Sequence, residues 1–351
     1  MLIFLLDVHR CDAADSNVHT TMDETALYFT GPRTVERRSI TVGDPDVDEV
    51  IVETSLSAIS AGTERLVYRN EVPQELAADE TIEALDGDLS YPLQYGYAAV
   101  GDVVETGESV DDEWMGRTVF AFVPHQSKFS EIPDSLVSIP PDLSMEAAAF
   151  LPSIETAITF VHDAAPRLGE RIVVFGAGVI GLCTTRLLAS FPLEQLTVVE
   201  PLENRRELAA EMGADVVLHP DVVGDVDTDA DHAIELSGRP ETLDDAIRAV
   251  GYDGRIVVGS WYGTKRAPVD FGSKFHRNRI ELVSSQVSTL DPELRGRWDR
   301  DRRLETALEW VRQMDVERLI SHRIPFKRAP RAYELLDEEW ESVLQPILTY
   351  R

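Results

Sequence analysis

Two patterns of apolar and polar residues divide the chain near residue 150. From Met22 to about Asp142, short apolar and β-branched runs are broken by Gly, Pro and acidic residues, as is typical of a partly open β-rich domain. Strands are predicted at Val50–Thr54, Ala99–Glu105 and Thr118–Val123. Residues 71–90 are acidic and predict a surface excursion or a short helix.

Beyond residue 150 the predicted strands and helices alternate. Short apolar strands are expected at Arg171–Phe175, Gln195–Glu200, Asp215–Leu218, Ala233–Leu236, Arg255–Gly259 and Glu281–Ser285. Helical spacing is found at Glu203–Met212 and Glu241–Val250, and Ser144 is a candidate N-cap for an Ala-rich helix before them. Because neighbouring parallel strands are joined by a crossover helix, this alternation predicts a doubly wound parallel sheet.

The two ends of the chain complete the predicted organisation. A charged helix is expected at Arg303–Met314, and a final strand at Gln345–Tyr350 is expected to return to the β-rich part. Residues 1–21 show no structural pattern, so we interpret them as an unstructured extension or as the result of a start codon assigned too early. The chain is therefore expected to be an α/β protein, with residues 22–150 and 290–351 in one domain and 151–289 in the other.

A glycine-rich turn follows the first strand of the predicted parallel sheet. Gly176, Gly178 and Gly181 have the spacing G-x-G-x-x-G, and Val179 and Ile180 open the amphipathic helix behind them. In this context the glycines allow a tight turn, the approach of a diphosphate and close packing of helix on strand, while the helix N-terminus offers free N–H groups. The turn predicts a bound dinucleotide, and a glycine-rich turn without a ligand is the alternative.

The residue at the end of the next strand bears on which dinucleotide binds. Glu200 is placed to accept hydrogen bonds from the adenosine ribose hydroxyls and to repel a 2′-phosphate, so NAD is favoured over NADP. Arg205 and Arg206 follow closely and could bind that phosphate instead, so NADP stays open. The alternative role of the two arginines is a solvated helix face.

Composition limits the partners and the working conditions. The 351 residues include 33 Lys plus Arg and 63 Asp plus Glu, which gives a formal net charge of −30. Such a charge would repel nucleic acids and anionic membrane surfaces, so neither is an expected partner. Only four of the 33 basic residues are lysine. This acid-rich, lysine-poor composition predicts a halophilic protein, because salt at ~1 M screens self-repulsion; an ordinary acidic cytosolic protein is the alternative.

Cysteine content and hydropathy predict a cytoplasmic protein. Cys11 and Cys183 alone cannot form a disulfide framework or a four-thiolate zinc site, which indicates a reducing compartment. The apolar run near the N-terminus is closed by Asp7 and is too short for a signal peptide or a membrane span. No other stretch reaches the ~18 apolar residues of a membrane helix, so the chain is expected to be soluble.

The layout from about residue 22 to residue 351 resembles the medium-chain dehydrogenase/reductase superfamily. The resemblance rests on the segments SAISAGTERLVY (57–68), YGYAAVGDVVETG (95–107), AAFLPSIETAI (148–158), GERIVVFGAGVIG (169–181), RIVVGSWYG (255–263) and AYELL (332–336). Within it, SAISAGTERL, PHQS (124–127) and FHRNRIELVSSQ (275–286) are most similar to the bacteriochlorophyllide a dehydrogenase branch. The resemblance implies a GroES-like catalytic domain (22–150 with 290–351), a Rossmann dinucleotide-binding domain (151–289) and a homo-oligomer, either dimer or tetramer.

The resemblance fails at the positions where zinc alcohol dehydrogenases bind their metal. The cysteine ligand corresponds here to Ser60 or Ala61, and the Gly-His-Glu motif of the second ligand reads Gly-Tyr-Ala at 96–98. The third ligand falls near Pro152, and the four-cysteine lobe that holds structural zinc is missing. Because zinc needs about three converging N, S or O ligands to activate an alkoxide, no zinc is predicted.

Polar residues around the lost metal site are the catalytic candidates. They are Ser60, Thr63, Glu64, Tyr97 and His125. Tyr97 could donate a hydrogen bond to a carbonyl oxygen, and His125 titrates in a range that suits proton relay. The alternatives are that Tyr97 only fills the vacated pocket, that His125 is a hydrogen-bonded loop residue and that Glu64 only fixes a turn. Thr156 corresponds to the residue that packs by the nicotinamide in relatives, or is an ordinary helix threonine.

Together these features predict a zinc-independent, NAD(P)-dependent oxidoreductase that acts on a small-molecule secondary alcohol or its ketone. A second hypothesis is reduction of a conjugated C=C bond or a quinone, as in the zinc-free arm of the superfamily. That arm usually binds NADPH and lacks the ribose-binding acid, so Glu200 argues against it. A third is a dinucleotide-binding protein without turnover, which only an assay of hydride transfer would separate from the other two.

Overall fold

The computed structural model describes residues 24–79, 81–82, 84–85, 87–225 and 228–350. The predicted extension at residues 1–21 lies outside the described residues. The described part forms sixteen strands and eight α-helices. The strands are β1 (Thr25–Gly31), β2 (Thr34–Ser39), β3 (Val50–Ala58), β4 (Leu93–Gln94), β5 (Ala99–Thr106), β6 (Thr118–Ala121), β7 (Lys128–Glu131), β8 (Leu136–Ser138), β9 (Arg171–Phe175), β10 (Gln195–Val199), β11 (Val216–Leu218), β12 (Ala230–Glu235), β13 (Val250–Val258), β14 (Glu281–Ser284), β15 (Ile320–Pro325) and β16 (Gln345–Thr349). The helices are α1 (Ala61–Arg69), α2 (Met145–Ala148), α3 (Leu151–Ala164), α4 (Val179–Leu188), α5 (Glu203–Glu211), α6 (Thr242–Ala249), α7 (Arg300–Gln313) and α8 (Ala329–Glu338).

Six parallel strands form the sheet that the alternating pattern predicts. Their order is β11-β10-β9-β12-β13-β14, and every neighbouring pair is parallel. The central strands β9 and β10 are buried on both faces, and α3 and α4 share one hydrophobic cluster with them, whereas β14 at the edge is largely exposed. Since β9 lies between β10 and β12, the turn that follows β9 sits between the ends of these two strands.

The N-terminal strands share a second sheet with the last strand of the described chain. The order of this seven-stranded sheet is β15-β16-β3-β5-β6-β8, with β7 beside β3. β16 runs parallel to β15 and antiparallel to β3, so the predicted return of the final strand is confirmed. β1, β2 and β4 form a separate three-stranded sheet.

The Ala-rich stretch forms two helices rather than one. Ser144 is the N-cap of α2, and its Oγ accepts a hydrogen bond from Ala147 N at 3.0 Å, as predicted. α2 ends after one turn, and α3 begins at Leu151 with Pro152 in its first turn. Because proline has no N–H group to donate, it is tolerated at this position but not in a helix interior.

The acidic segment 71–90 contributes to the core, which its composition does not indicate. Leu85 and Leu89 are 2% and 1% exposed and pack in the same cluster as Phe29 and Tyr333. The described residues of this segment include no α-helix. The expectation of a surface excursion is therefore wrong for these leucines, which anchor the segment, whereas Glu75 and Asp88 are exposed.

One hydrophobic cluster connects the two larger sheets. It contains Leu56 and Phe120 from the seven-stranded sheet, Ile172 from the parallel sheet, and Phe150 and Ile154 beside and within α3. α3 therefore lies between the sheets. The end of α1 packs against the loop that follows β13, where Thr264 N donates to the carbonyl oxygen of Glu71 at 2.9 Å. The domain boundaries proposed from the sequence remain predictions. Within the described part of the chain, no helix has both the length and the apolar character needed to cross a membrane.

Candidate active site

The glycine-rich turn lies between β9 and α4, at the centre of the parallel sheet. Gly176 has φ of +99°, and a Cβ there would lie 2.7 Å from the carbonyl oxygen of Leu236. A Cβ at Gly181 would lie 2.0 Å from the carbonyl oxygen of Gly176, so α4 packs directly on the turn. At Gly178 the opposite holds, because a Cβ there would meet nothing within 4 Å. The turn is thus tightly packed beneath and open above Gly178.

The open space above the turn faces the start of α4. Gly178 is the N-cap of this helix and offers no side chain to cap it. The N–H groups of the first turn, which begins with Val179 and Ile180, are therefore available to an anion, and the positive end of the helix dipole reinforces them.

Glu200 is fixed beside the turn by backbone groups. Its Oε2 accepts a hydrogen bond from Ala177 N at 2.8 Å, and its Oε1 accepts one from Leu202 N at 3.0 Å. Arg206 donates to the carbonyl oxygens of Glu200 and Pro201 at 2.8 Å and 2.6 Å. The carboxylate is 4% exposed, so the strand end holds a buried negative charge next to the open space.

Arg205 contacts the C-terminal part of the chain. Its guanidinium donates to the carbonyl oxygens of Trp340 and Val343 at 3.0 Å and 2.7 Å, and it lies 5.7 Å from the centre of the Trp340 ring. A nucleotide phosphate would have to compete with these two carbonyl oxygens for Arg205. Its role in cofactor binding stays a prediction.

Two hydroxyl groups meet at Ser60 and Tyr97, two of the predicted catalytic residues. Tyr97 donates a hydrogen bond to Ser60 Oγ at 2.6 Å, and Thr63 also hydrogen-bonds Tyr97. Ser60 is the N-cap of α1, but its hydroxyl makes no capping bond. Burial raises the pKa of the Tyr97 phenol above its ordinary value near 10, although the hydrogen bonds with Ser60 and Thr63 oppose the shift. Tyr97 is therefore a neutral hydrogen-bond donor at neutral pH.

Glu64 is the centre of a buried polar network beneath this hydroxyl pair. Its Oε1 accepts from Ser60 N at 2.7 Å, and its Oε2 accepts from Tyr333 OH at 2.5 Å and lies 3.0 Å from His125 Nε2. Glu64 is completely buried, and burial followed by the charge of Glu64 raises the pKa of Tyr333 well above its ordinary value. Glu64 thus fixes the turn before α1, and it also ties α1 to α8.

His125 links Glu64 to the last strand. Its Nδ1 lies 2.7 Å from Ser57 Oγ, which lies 3.0 Å from Tyr350 OH. The ring is fully buried and packs against Gly96, where a Cβ would lie 2.6 Å from two ring atoms. Both ring nitrogens are engaged, so the contacts favour a supporting role; direct participation of His125 in the reaction stays a prediction.

Several polar residues of the site are not indicated by the sequence patterns. Ser57 enters the Glu64 network from β3 through His125, and Tyr333 and Tyr350 enter it from the C-terminal part of the chain. Glu235, at the end of β12, is fully buried and accepts hydrogen bonds from Ser237 N at 2.7 Å and Tyr262 OH at 2.5 Å. An acid at the end of an apolar strand is a signal that could have identified Glu235, as it identified Glu200.

A cavity of about 370 Å³ adjoins the N-terminal half of α3. Phe122, Trp298 and the residues that follow β14 line it. Glu155 and Arg303, both nearly fully buried, form an ion pair at the cavity wall, with 2.8 Å between Oε1 and the guanidinium nitrogen. Burial raises the pKa of Glu155, and Arg303 opposes the shift. Thr156, the predicted nicotinamide contact, follows Glu155 in α3 and is half-buried.

The donor groups at the former metal position do not fit zinc. Ser60 and Tyr97 are hydrogen-bonded to each other, and Ala61 offers no ligand atom. Among the residues that the structure describes, no group of three or more His, Cys, Asp or Glu could hold a metal ion.

Known dehydrogenases are similar to this chain along most of its length. Residues 179–324 match the family model described as zinc-binding dehydrogenase. D-guloside 3-dehydrogenase of Escherichia coli (strain K12) is 26% identical over 326 residues, which cover 86% of this chain and 93% of that protein. The 2-desacetyl-2-hydroxyethyl bacteriochlorophyllide A dehydrogenase of Cereibacter sphaeroides is 27% identical over 331 residues, which cover 89% of this chain and 94% of that protein.

Solved structures share the fold. The 2R,3R-butanediol dehydrogenase from Bacillus subtilis has a TM-score of 0.77 at 18% identity, covering 93% of this chain and 100% of that chain. A short chain alcohol dehydrogenase from E. coli CFT073, complexed with NADH, has a TM-score of 0.74 at 17% identity and coverage of 93% and 99%. A protein from Sinorhizobium meliloti 1021, bound to NADP, has a TM-score of 0.73 at 18% identity and coverage of 94% and 100%.

These similarities confirm the predicted fold of a Rossmann sheet with a GroES-like part and the predicted superfamily. The chain is an alcohol dehydrogenase-like oxidoreductase that is similar to the zinc-binding dehydrogenases of the medium-chain dehydrogenase/reductase superfamily.

Proposed function

We propose that the chain is a zinc-independent oxidoreductase that transfers a hydride between C4 of a nicotinamide dinucleotide and a secondary alcohol or its ketone. The observation that carries the proposal is that the chain holds both an open glycine turn, in the parallel sheet, and a hydroxyl pair at the start of α1, the helix whose end packs against the loop after β13. The turn suits a dinucleotide, and the hydroxyl pair stands where relatives that bind zinc place their ligands.

The residues around the glycine turn fit a dinucleotide. The space above Gly178 would receive the diphosphate, and the N–H groups of Val179 and Ile180 would donate to it. Thr156 would pack by the nicotinamide ring. The bound dinucleotide supplies the hydride acceptor or donor, and the chain supplies binding and orientation. The relatives complexed with NADH and NADP support this choice of cofactor class.

NAD is the preferred dinucleotide in this proposal. The buried carboxylate of Glu200 lies beside the turn, where the adenosine ribose is expected, and it would repel a 2′-phosphate. Arg205, which could have attracted that phosphate, is engaged by the carbonyl oxygens of Trp340 and Val343.

The hydroxyl pair replaces a metal ion in our proposal. Ser60 Oγ accepts a hydrogen bond from Tyr97, so the proton of Ser60 is free to be donated to a substrate oxygen. As hydride reaches the carbonyl carbon of a ketone, the electron pair of the C=O π bond moves to the oxygen, and the hydroxyl of Ser60 stabilises the developing negative charge by donating a hydrogen bond. A proton from solvent completes the alcohol, and in the reverse direction solvent takes up the proton of the alcohol. Tyr97 and Thr63 keep Ser60 oriented. This account requires no zinc, for which the donor set does not fit.

The cavity beside α3 supports a bulky or cyclic substrate. Its volume of about 370 Å³ falls in the range of small-molecule sites, and Phe122 and Trp298 offer flat apolar surfaces. Polar groups such as Thr289 and Arg295 also line the cavity and could hydrogen-bond hydroxyl groups of a substrate.

The decisive experiment follows deuterium transfer. Purified protein in molar KCl is incubated with NADH carrying deuterium at C4 and a panel of cyclic and bulky ketones, and products are read by mass spectrometry. We expect deuterium at the carbinol carbon of one class of ketone. In parallel, metal content is measured by mass spectrometry and cofactor binding by NADH fluorescence. The same incubation with enones and quinones tests the alternatives. Binding with neither deuterium transfer to a ketone or enone nor oxidation of NADH by a quinone would favour the non-catalytic hypothesis, whereas deuterium at the β-carbon of an enone, or NADH oxidation by a quinone, would favour the second enzymatic one.

Metal content tests the proposed independence of zinc. We expect less than 0.1 zinc per chain, with undiminished transfer. One tightly held zinc per chain that is needed for transfer would contradict the role given to Ser60 and Tyr97.

A further inference from the structure

The segment that leads into α7 concentrates positive charge in an otherwise acidic chain. Residues 295–303 include five arginines and two aspartates, although the formal net charge of the chain is −30. Of these five guanidinium groups, only that of Arg303 forms an ion pair with a carboxylate of the described residues. The other four are therefore available to stabilise an anion from outside the chain.

Two of the unpaired arginines, Arg295 and Arg300, line the cavity of about 370 Å³ beside α3. Arg295 donates through Nε to the carbonyl oxygen of Leu290 at 3.1 Å, and its terminal nitrogens have no partner in the described part of the chain. The guanidinium of Arg300 lies over the ring of Phe122, 5.2 Å from its centre, and forms no hydrogen bond or ion pair with any described residue. Stacking on the ring orients this guanidinium and leaves the donors at its edge free for a ligand.

The carboxylates that line the same cavity are already engaged by the protein. Glu155 is paired with Arg303. Asp299 caps α7 by accepting a hydrogen bond from a backbone N–H at 2.8 Å, and Asp79 accepts two from backbone N–H groups at 2.7 Å and 3.0 Å. The formal charges of the three arginines and three acids in the lining cancel, but the hydrogen-bond donors left without a partner belong to Arg295 and Arg300.

An aromatic side chain of the cavity wall is held in place beside these donors. The Trp298 ring lies 4.2 Å from the guanidinium carbon of Arg302 and 4.4 Å from the centre of the His162 ring. A fixed indole costs little conformational entropy when a ligand packs on it. Together with Phe122, it offers apolar surface for a ring next to guanidinium groups for an anionic substituent of that ring.

Strand register places this cavity close to the hydroxyl pair. Ala121 of β6 pairs with Ala99 of the antiparallel strand β5. Phe122 is the next residue after this pair on one strand, and Tyr97 precedes it by two residues on the other. Elsewhere the cavity reaches α3, the helix that carries the proposed nicotinamide contact. A substrate in the cavity would therefore lie near the groups that are proposed to act on it.

We propose that the substrate is a cyclic secondary alcohol or ketone that carries a carboxylate or phosphate group, and that Arg300 and Arg295 bind this anionic group. The inference rests on the proposed function. Hydride passes between C4 of the nicotinamide and the carbonyl carbon, the proton is exchanged with solvent, and the anionic group stays unchanged. Its role is to orient the substrate, because a forked guanidinium binds two oxygen atoms at once. A neutral analogue would leave these donors unpaired and would be discriminated against.

The test compares ketones that differ in charge. 4-Oxocyclohexanecarboxylate, its methyl ester and 4-oxocyclohexyl phosphate are offered with NADH to the unmodified chain and to Arg300→Gln, and kcat/KM is measured. For one of the two anions we expect a value at least about 10-fold above that of the ester, which identifies the anion that is recognised. Arg300→Gln should lower kcat/KM for that anion by about 10- to 100-fold, as for loss of a charge-assisted hydrogen bond, and leave the ester within about twofold.

Arg297→Gln is the matched control. Arg297 belongs to the same arginine-rich segment and has no carboxylate partner among the described residues, but it is not one of the residues that line the cavity. Its replacement should leave kcat/KM for every ketone within about twofold. Arg300→Lys, which keeps the charge without the fork, should recover part of the preference. A fall in the melting temperature of Arg300→Gln together with equal losses for anion and ester would assign Arg300 a structural role and overturn the proposal.

A binding measurement separates this inference from the proposed function. Cyclohexanecarboxylate, cyclohexyl phosphate and neutral cyclohexanecarboxamide are titrated calorimetrically against the same variants. If no ketone is reduced but an anion binds and Arg300→Gln weakens it, the proposed function fails and the anion site stands. If ketones are reduced without preference for charge, or if the preference persists in both Arg300→Gln and Arg295→Gln, only this inference fails. If the unmodified chain neither reduces a ketone nor binds an anion, both fail.

Discussion

The two walls of the proposed active site are built in different ways. On one wall, the turn at residues 176–181 exposes backbone N–H groups, and its shape depends on glycines that leave no room for a Cβ. On the other wall, the Ser60–Tyr97 hydroxyl pair rests on buried Glu64, whose carboxylate receives Ser60 N and Tyr333 OH and contacts His125. The first wall is a local property of six consecutive residues, whereas the second requires side chains from both ends of the chain.

The difference determines how each wall fails. The glycine turn loses its ligand when a methyl group at Gly178 fills the space that the ligand needs, and the fold survives because that space is open. A side-chain network is lost when one donor or acceptor disappears, because the remaining buried groups are left unsatisfied. Variants that separate ligand binding, turnover and stability therefore test whether the two walls are as independent as the structure indicates.

The largest effect is expected for Gly178→Ala. Its methyl group would occupy open space in the ligand-free protein and would separate a diphosphate from the N–H groups of α4. Loss of two charge-assisted hydrogen bonds at ~1.5–3 kcal/mol each predicts a rise in the NADH dissociation constant of about 100-fold or more. Fluorescence titration measures it. Gly31→Ala is the control, since a Cβ there also meets nothing within 4 Å. Equal binding by both variants would show that the dinucleotide does not lie over Gly178.

Tyr97→Phe tests the opposite wall. Without the hydroxyl that donates to Ser60 Oγ, Ser60 is no longer held towards the substrate oxygen. We expect kcat to fall by up to about 100-fold, the cost of losing the oriented Ser60 donor to the developing oxyanion, and NADH affinity to stay unchanged. Tyr95→Phe is the matched control, because the Tyr95 hydroxyl forms no hydrogen bond within the described part of the chain. An unchanged kcat in Tyr97→Phe would mean that Tyr97 only fills the former metal pocket.

Glu64→Gln tests the network beneath the hydroxyl pair. Both carboxylate oxygens of Glu64 accept hydrogen bonds, whereas a glutamine side chain has one accepting oxygen and one NH₂ group. In Glu64→Gln the NH₂ group would therefore lie against a donor, either Ser60 N–H or the Tyr333 hydroxyl beside His125. The free energy of unfolding should fall by about 2–3 kcal/mol, which denaturant titration measures. Glu305→Gln, at an exposed position of α7, should change it by less than about 0.5 kcal/mol. Similar stability of the two variants would show that Glu64 is not the centre of the network.

The pH dependence of turnover is a weaker but independent test. Burial raises the pKa of Tyr97 above its ordinary value near 10. The phenol therefore keeps its proton at every pH below that ordinary value. The protonated form is the donor, and its contribution is lost only as the pH rises through the raised pKa. We therefore expect kcat to change by less than twofold between pH 7 and pH 9.5. A decline in that interval that persists in Tyr97→Phe would implicate another group.

No effect at all is expected from metal removal. Dialysis against a chelator should leave kcat and the melting temperature unchanged, because the position of the metal is held by a serine and a tyrosine. If the chelator abolishes activity and only added zinc restores it, the reaction requires a zinc ion, and the role proposed for Ser60 and Tyr97 is wrong.

The same contrast explains what the sequence could predict. The strand pattern placed β9, β10, β12 and β14 within three residues at either end, and the glycine spacing located the turn, because both depend on neighbouring residues. Ser60, Tyr97 and His125 were chosen from their match to a family motif, and the structure brings them within one network.

Other features depend on tertiary structure that no local pattern carries. Tyr333 and Tyr350 lie 269 residues from Glu64 and 293 residues from Ser57, their respective partners, so no spacing could indicate those contacts. Leu85 and Leu89 were hidden by the acidic residues around them, although they pack in the core.

The placement of β16 between β15 and β3 has a consequence for the order in which activity is acquired. Insertion of β16 between β15 and β3 brings Tyr350 into contact with Ser57, which lies 293 residues earlier in the chain. Contacts between residues so far apart in sequence form late and slowly. The parallel sheet, by contrast, is assembled from one continuous stretch between β9 and β14. A refolding chain is therefore expected to capture nucleotide before it can turn substrate over, and a variant that cannot insert β16 would remain arrested at that stage.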